Sequence, residues 1–181
     1  HLSTTGKVSI CQWETDCFFV NEPALTSSRK NRKHVSHLSI GLVRIGCCGG
    51  PARVWWSTFD ISAKANTHYE PTYHECVEFK DGETFKEVIV QITPRKEYDG
   101  TIEFGLYLEP DSAMNCIVGK YLHTATVKII DADCFPTEDL REDVEGGDMK
   151  KILDIPPVEL LQAFRVAAMQ DKVVRRGTIR T

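Results

Sequence analysis

Apolar and polar residues alternate along most of the chain as far as Asp131, which is the pattern of half-buried β-strands. Seven short segments carry this alternation, and residues that favour turns separate them. They lie at 8–20, 38–46, 52–58, 76–79, 85–92, 102–108 and 125–129. The first is broken into two pieces around 14–16, and Asp81-Gly82 marks a hairpin turn between the fourth and the fifth. Seven short strands joined by turns predict an all-β fold, an antiparallel β-sandwich.

The pattern changes after Asp131. Residues 137–148 hold six acidic side chains and one arginine, which is typical of a solvated linker. Pro156-Pro157 then precede an amphipathic helix at 158–173, and the tail after that helix is basic. The predicted organisation is a sandwich over 1–135, an acidic linker over 136–155, and a C-terminal amphipathic helix with its basic tail over 156–181.

Charge and cysteine content indicate which partners and which cellular compartment to expect. The formal charge of −4 argues against a nucleic-acid partner, because such binding normally needs a basic face. No apolar run approaches the roughly 18 residues of a membrane-spanning helix, so we expect a soluble piece. The seven cysteines are odd in number and include no C-x-x-C spacing, which favours free thiols in a reducing compartment. Several are expected to be small core residues, Cys76 among them. The sequence therefore predicts a cytoplasmic domain.

The middle of the chain resembles a known family. Residues 58–69 read T-x-D-x-x-A-x-x-x-x-x-Y, and residues 79–92 read F-x-x-G-E-x-x-K-x-x-x-V-x-I. This order is similar to the core of a Calx-β domain, and the resemblance spans about residues 8–135. The resemblance implies an immunoglobulin-like β-sandwich of the kind that senses calcium in the cytosolic loop of sodium/calcium exchangers. Calx-β domains also occur in adhesion receptors and other membrane proteins.

Acidic residues follow every second predicted strand. If successive strands run up and down, the ends of the first, third, fifth and seventh strands meet at one end of the sandwich, which we call the rim. Convergent carboxylates need a positive partner, and a calcium ion with its 6–8 oxygen ligands is one remedy. Carried over by position, the resemblance implies Ca²⁺ as cofactor and five metal ligands: Glu22, Asp60, Asp99, Asp131 and Asp133.

The chain also departs from the family pattern at this rim. Pro94-Arg95-Lys96 replaces an acidic run, and Ala132 replaces the middle acid of the last run. An inserted basic loop at 24–37 is expected at the same end, with cations at Arg29, Lys30, Arg32 and Lys33. Two alternatives stay open: a degenerate calcium-sensing rim, or a rim that the protein's own cations neutralise without metal.

Other chemistry has little support. A zinc site would need His34 and His37 to meet Cys47 and Cys48, but these two loops are predicted at opposite ends of the sandwich. No phosphate-binding loop, Ser-His-Asp grouping or metalloprotease motif is present, so the chain is not expected to be an enzyme.

The functional prediction is a non-catalytic regulatory or interaction module, the cytoplasmic part of a larger membrane protein such as a transporter, at the inner face of a membrane. Its partner would be the rest of that protein or another protein. The apolar stripe of the predicted helix is expected to pack on the sandwich or on a neighbouring part of the parent protein. Alternatively, the helix lies on a membrane surface, where the tail cations Lys172, Arg175, Arg176 and Arg180 would contact anionic lipid. The alternative is a calcium-independent structural or adhesion-type scaffold.

Overall fold

In a computed structural model of the chain, the structure describes residues 8–23, 36–95, 100–131, 146–147, 156–158, 161 and 165. This part contains nine strands, and each predicted segment appears among them. Their bounds are β1 Ser9–Trp13, β2 Cys17–Asn21, β3 Ser36–Gly46, β4 Ala52–Asp60, β5 Glu75–Phe79, β6 Phe85–Ile92, β7 Thr101–Met114, β8 Ile117–Val118 and β9 Thr124–Ile130.

The strands form two sheets that pack as a sandwich. One sheet has the order β6-β3-β1-β8, and the other has the order β2-β9-β7-β4-β5. Two pairings are parallel, β1 with β8 and β2 with β9, and the other pairings are antiparallel. The prediction of seven strands in a purely antiparallel arrangement is therefore corrected to nine strands with two parallel pairs.

The first predicted segment explains most of this difference. Its two halves, β1 and β2, are separated by residues 14–16 and belong to different sheets. β1 lies against β3, whereas β2 runs parallel to β9 at the far edge of the other sheet. The break at residues 14–16, which the sequence pattern shows as an interruption of one strand, is thus the point where the chain passes from one sheet to the other.

Inward-facing side chains of the two sheets fill the space between them. Trp13 from one sheet and Trp56 from the other meet edge to face, with ring centroids 5.8 Å apart, and both are fully buried. Such aromatic contacts add to the free energy gained by burying apolar area. Val88, Val90 and Ile92 show the alternation that the sequence predicts, since the residues between them are exposed. The core therefore spans both sheets as one apolar cluster.

One core assignment was wrong. Cys76 is exposed, because Val77 and Phe79 take the inward positions of β5 and a strand turns successive side chains to opposite faces. Cys11 in β1 is the fully buried cysteine instead. The six cysteines within the described residues are all free thiols, as predicted.

The region after Asp131 contributes little to this description. The predicted acidic linker and the predicted helix at 158–173 lie almost wholly outside the described residues, as does the inserted basic loop up to residue 35. Within the described part of the chain, no helix has the length and apolar character needed to cross a membrane.

Candidate functional site

The strand register brings three of the predicted carboxylates to the same end of the sandwich. Asn21 at the end of β2 pairs with Ile130 at the end of β9, so Glu22 and Asp131 follow neighbouring parallel strands. Ile130 also pairs with the first residue of β7, and Asp60 pairs with Phe104 three residues further along that strand. Asp99 and Asp133 lie outside the described residues.

Glu22 is held by the chain segment that follows β6. Its side chain is almost buried, at 7% exposure, and its Oε1 accepts a hydrogen bond of 2.6 Å from the backbone N–H of Arg95. Its own backbone N–H donates to the carbonyl of Ile130 over 2.8 Å. A hydrogen bond to a charged carboxylate is stronger than one between neutral groups. Glu22 therefore ties the end of β2 to both β9 and the segment after β6.

The Arg95 guanidinium reaches the 60–69 loop. Its Nη1 lies 2.7 Å from Nε2 of His68, whose Nδ1 lies 2.8 Å from the backbone N–H of Lys64. A neutral imidazole has one acceptor nitrogen, so only one of these two contacts is a hydrogen bond at a time. His68 is nearly buried, and its carbonyl accepts from the backbone N–H of Thr93 over 2.9 Å. The described cation Arg95 thus lies inside the rim rather than pointing away from it.

Asp60 closes the loop that follows β4. Its Oδ1 accepts hydrogen bonds from the Tyr69 hydroxyl at 2.8 Å and from the backbone N–H of Ala65 at 2.9 Å, and its Oδ2 lies 3.7 Å from Nζ of Lys64. The hydrogen bond from Tyr69, and next the one from Ala65, hold the pKa of Asp60 below its usual value. Tyr69 is fully buried and stacks on Phe104 at 4.0 Å. Burial raises the pKa of Tyr69, so this phenol stays protonated as the donor.

Asp131 engages the backbone at the start of β7. Its Oδ2 accepts a hydrogen bond of 3.1 Å from the N–H of Gly100. Gly100 has a φ of +67°, a conformation that glycine adopts without the penalty other residues incur. Asp131 therefore fixes the entry into β7 from the preceding loop.

The described part of the rim does not by itself form a calcium site. Calcium needs 6–8 oxygen ligands, but Glu22, Asp60 and Asp131 each already accept hydrogen bonds from protein donors. Among the described residues, no group of three or more histidine, cysteine, aspartate or glutamate side chains is placed to hold a metal ion. The five-residue ligand set stays a prediction, because two of its members are not described.

The outer face of the second sheet carries a polar cluster that the sequence does not predict. Glu109 accepts a hydrogen bond of 2.8 Å from Ser57 and lies 2.6 Å from Nδ1 of His74, whose ring stacks on Trp55. Burial raises the pKa of Glu109, but the hydrogen bonds from Ser57 and His74 outweigh it and hold that pKa below its usual value. These residues are too far apart in the sequence for any spacing to predict the cluster.

At the opposite end from the rim, Arg44 is a buried cation that joins three segments. It is 1% exposed, and its Nε donates to Ser9 Oγ at 2.8 Å. Its Nη1 donates to the Gly50 carbonyl at 2.9 Å and, less closely, to the Lys80 carbonyl at 3.4 Å. Its Nη2 lies 3.4 Å from the Gly49 carbonyl. The sequence gives only a weak sign of Arg44, because residues 42–46 read L-V-R-I-G and merely approximate the V-x-R-x-G ending of the family's second strand.

Known structures share this architecture. The crystal structure of the apo form of the Calx CBD1 domain matches with a TM-score of 0.58 and 17% identity, covering 70% of this chain and all (100%) of that one. The Calx CBD2 domain matches with a TM-score of 0.56 and 14% identity, covering 75% of this chain and 93% of that one. The CBD12 structure from CALX1.2 matches with a TM-score of 0.57 and 18% identity, covering 67% of this chain and 45% of that one. At these identities the likeness establishes the fold alone.

The family comparison identifies the chain. A search of curated proteins finds no match. The family model described as the Calx-beta domain, however, matches residues 16–133, well over half of the chain, which confirms the resemblance inferred from the sequence. The chain therefore belongs to the Calx-beta family, a type of regulatory binding domain.

Proposed function

We propose that this domain is a non-catalytic regulatory or interaction module of a larger membrane protein, such as a transporter, and that the chain's own donors and cations hold its rim without calcium. The observation that carries the calcium-independent part is the contact between Glu22 and Arg95. The segment after β6 is acidic in the family pattern and cationic here, and its backbone occupies the Glu22 carboxylate.

The energetics favour protein donors over a metal at this place. A nearly buried carboxylate must be paired or hydrogen-bonded, since an isolated buried charge is costly. Glu22 meets this need with a short bond to the Arg95 amide, and Asp60 meets it with two bonds within its own loop. A calcium ion would have to share these carboxylates with their protein donors and would also be repelled by the Arg95 and Lys64 cations.

Calcium sensing is the second candidate function. Family membership and the meeting of Glu22, Asp60 and Asp131 at one end favour it. In that case the ion would order the rim loops, and the C-terminal helix would pass the change to the rest of the parent protein.

A calorimetric titration of the full chain with Ca²⁺ separates the two candidates. The proposal expects no saturable binding at concentrations below about millimolar, the weak end of the range of extracellular calcium modules. It also expects Glu22→Ala to lower the free energy of unfolding, while Glu22→Gln, which keeps an acceptor oxygen, lowers it less.

Asp81→Asn is the matched control. Asp81 Oδ1 also accepts a short backbone hydrogen bond, 2.6 Å from Gly50, but at the end of the sandwich opposite the rim. Saturable submillimolar binding that Glu22→Gln and Asp131→Asn abolish, and that Asp81→Asn leaves intact, would replace the proposal with the calcium sensor.

The setting of the domain is part of the same proposal. A position on the cytoplasmic side of a membrane, next to the remainder of a parent protein, is consistent with the family and with the free thiols of the described residues. The basic tail adds a contact with anionic lipid, which vesicle binding tests directly.

A further inference from the structure

Two cysteines that are far apart in the sequence meet beneath the parallel pairing of β1 and β8. Cys11 in β1 pairs in register with Val118 in β8, and Cys116 immediately precedes β8. Cys116 packs against the apolar core cluster to which Cys11 belongs. The two side chains interact, because each shifts the pKa of the other.

The two thiols have different surroundings. Cys11 is fully buried, whereas Cys116 is partly exposed at the end of the long strand β7. The Cys116 thiol donates a hydrogen bond of 3.5 Å to the carbonyl of Arg53, and the positive charge of the buried Arg44 acts to lower the pKa of both thiols. One thiol of the pair is thus within reach of a small solute, and the other stands directly behind it.

Electrostatics also separates the pair. The contact with Cys11, with the positive charge of Arg44, holds the pKa of Cys116 below the usual thiol value despite its burial. The contact with Cys116, together with burial, raises the pKa of Cys11. The pKa directions and the exposure of the two side chains both indicate that Cys116 is the thiol that reacts first.

We propose that Cys116 is a hydroperoxide-reactive thiol and that Cys11 is its resolving partner, so that oxidation links them in a disulfide between β1 and the β7–β8 connection. Accessible thiols that sit next to a second cysteine are the usual form of redox-sensitive sites. Exposure alone does not create such a site. Cys76 is more exposed than Cys116 but has no cysteine across from it, since its register partner in β4 is Trp55.

The reaction balances with hydrogen peroxide as the two-electron oxidant. The Cys116 thiolate attacks one peroxide oxygen, an S–O bond forms, the O–O bond breaks, and the departing hydroxide takes a proton from solvent to become water. The Cys11 sulfur then attacks the sulfenic sulfur of Cys116. The hydroxyl group leaves with the Cys11 proton as a second water, and two thiols have become one disulfide.

A disulfide needs the sulfurs about 2.05 Å apart, so its formation requires a local movement of the chain. We expect that movement in the short connection between β7 and the two-residue strand β8, where Asn115 has a φ of +54°.

The test treats the reduced full-length chain with hydrogen peroxide and follows each cysteine by peptide mass mapping. The expected result is the loss of two of the seven thiols and a Cys11–Cys116 linked peptide, with Cys116 reacting before Cys76. In Cys11→Ser, Cys116 should accumulate as a sulfenic acid that dimedone traps. In Cys116→Ser, Cys11 should remain a thiol. Cys76→Ser is the matched control and should still form the bond.

Three results would overturn the proposal. They are oxidation of Cys76 ahead of Cys116, pairing of Cys116 with a cysteine other than Cys11, and oxidation of Cys11 at an unchanged rate in Cys116→Ser. The order of reaction is measured on the unsubstituted chain, so the test holds even if a core substitution at Cys11 prevents folding.

Discussion

Replacing Arg44 with methionine should destabilise the sandwich by about 3 kcal/mol. The guanidinium makes two hydrogen bonds shorter than 3.0 Å, to Ser9 Oγ at 2.8 Å and to the Gly50 carbonyl at 2.9 Å. A buried acceptor left without a partner costs about 1–3 kcal/mol, and a partly buried one costs less because water reaches it. Ser9 is buried and the Gly50 carbonyl is only partly buried, so the loss would be about 2–4 kcal/mol. Methionine has a similar apolar stem and removes the cost of burying a charge, which offsets part of that loss.

A double-mutant cycle with Ser9 isolates one of these bonds. Ser9 is nearly buried, and Ser9→Ala alone should cost about 1 kcal/mol. The double variant should be more stable than the sum of the single effects predicts, by about 1 kcal/mol, because no unpaired hydroxyl remains beside the methionine.

Arg53→Met provides the matched control. Arg53 forms an ion pair of 3.0 Å with Glu78, but half of each side chain is exposed, at 51%. Its loss should therefore cost about 1 kcal/mol or less. The measurement is urea unfolding of all four variants, with stabilities compared at equal denaturant slopes. If Arg44→Met costs no more than Arg53→Met, or if its effect and that of Ser9→Ala are simply additive, the assigned role of Arg44 is wrong.

Three further predictions concern other parts of the chain. Gly105→Ala should lower the free energy of unfolding by about 1 kcal/mol, because the new Cβ would clash with the ring of Phe59. Unfolding experiments should show that adding Phe59→Ala to this variant restores stability. The lowered pKa of Glu109 contributes stability that is present above its unfolded pKa of about 4.3 and is lost as pH falls through the folded value. The free energies of unfolding of the wild type and of Glu109→Gln, measured as a function of pH, should therefore converge as pH falls below 4.5. A difference that does not change with pH would contradict the direction of the Glu109 pKa shift. Replacing Arg175 and Arg176 by alanine should weaken binding to phosphatidylserine vesicles, measured by co-sedimentation, by about 1 kcal/mol per charge. Equal binding of the wild type and the variant refutes the lipid contact.

The fold was largely predictable because alternation is a local property of each strand. The alternation that predicts Val88, Val90 and Ile92 as core residues is present in the sequence and is observed in β6. The same rule, applied consistently to Val77 and Phe79, would have placed Cys76 outside the core. That error came from treating cysteine as apolar by type instead of following the period of its strand.

The candidate site was predictable only in part. Strand order was enough to bring Glu22, Asp60 and Asp131 to one end of the sandwich. The change from acids to Pro94-Arg95 also signalled a departure from the family. Nothing in the sequence indicates that the Arg95 amide would meet the Glu22 carboxylate at 2.6 Å.

By itself, the sequence determined the strand positions, the family and the acidic end of the sandwich, because side-chain period, turn residues and motif spacing are written along the chain. Only the tertiary structure decided that the first strand divides between two sheets, that Arg44 meets Ser9, and that Cys11 meets Cys116. These contacts join segments that are distant in the sequence. Their geometry depends on how the sheets pack, and no local pattern carries that information.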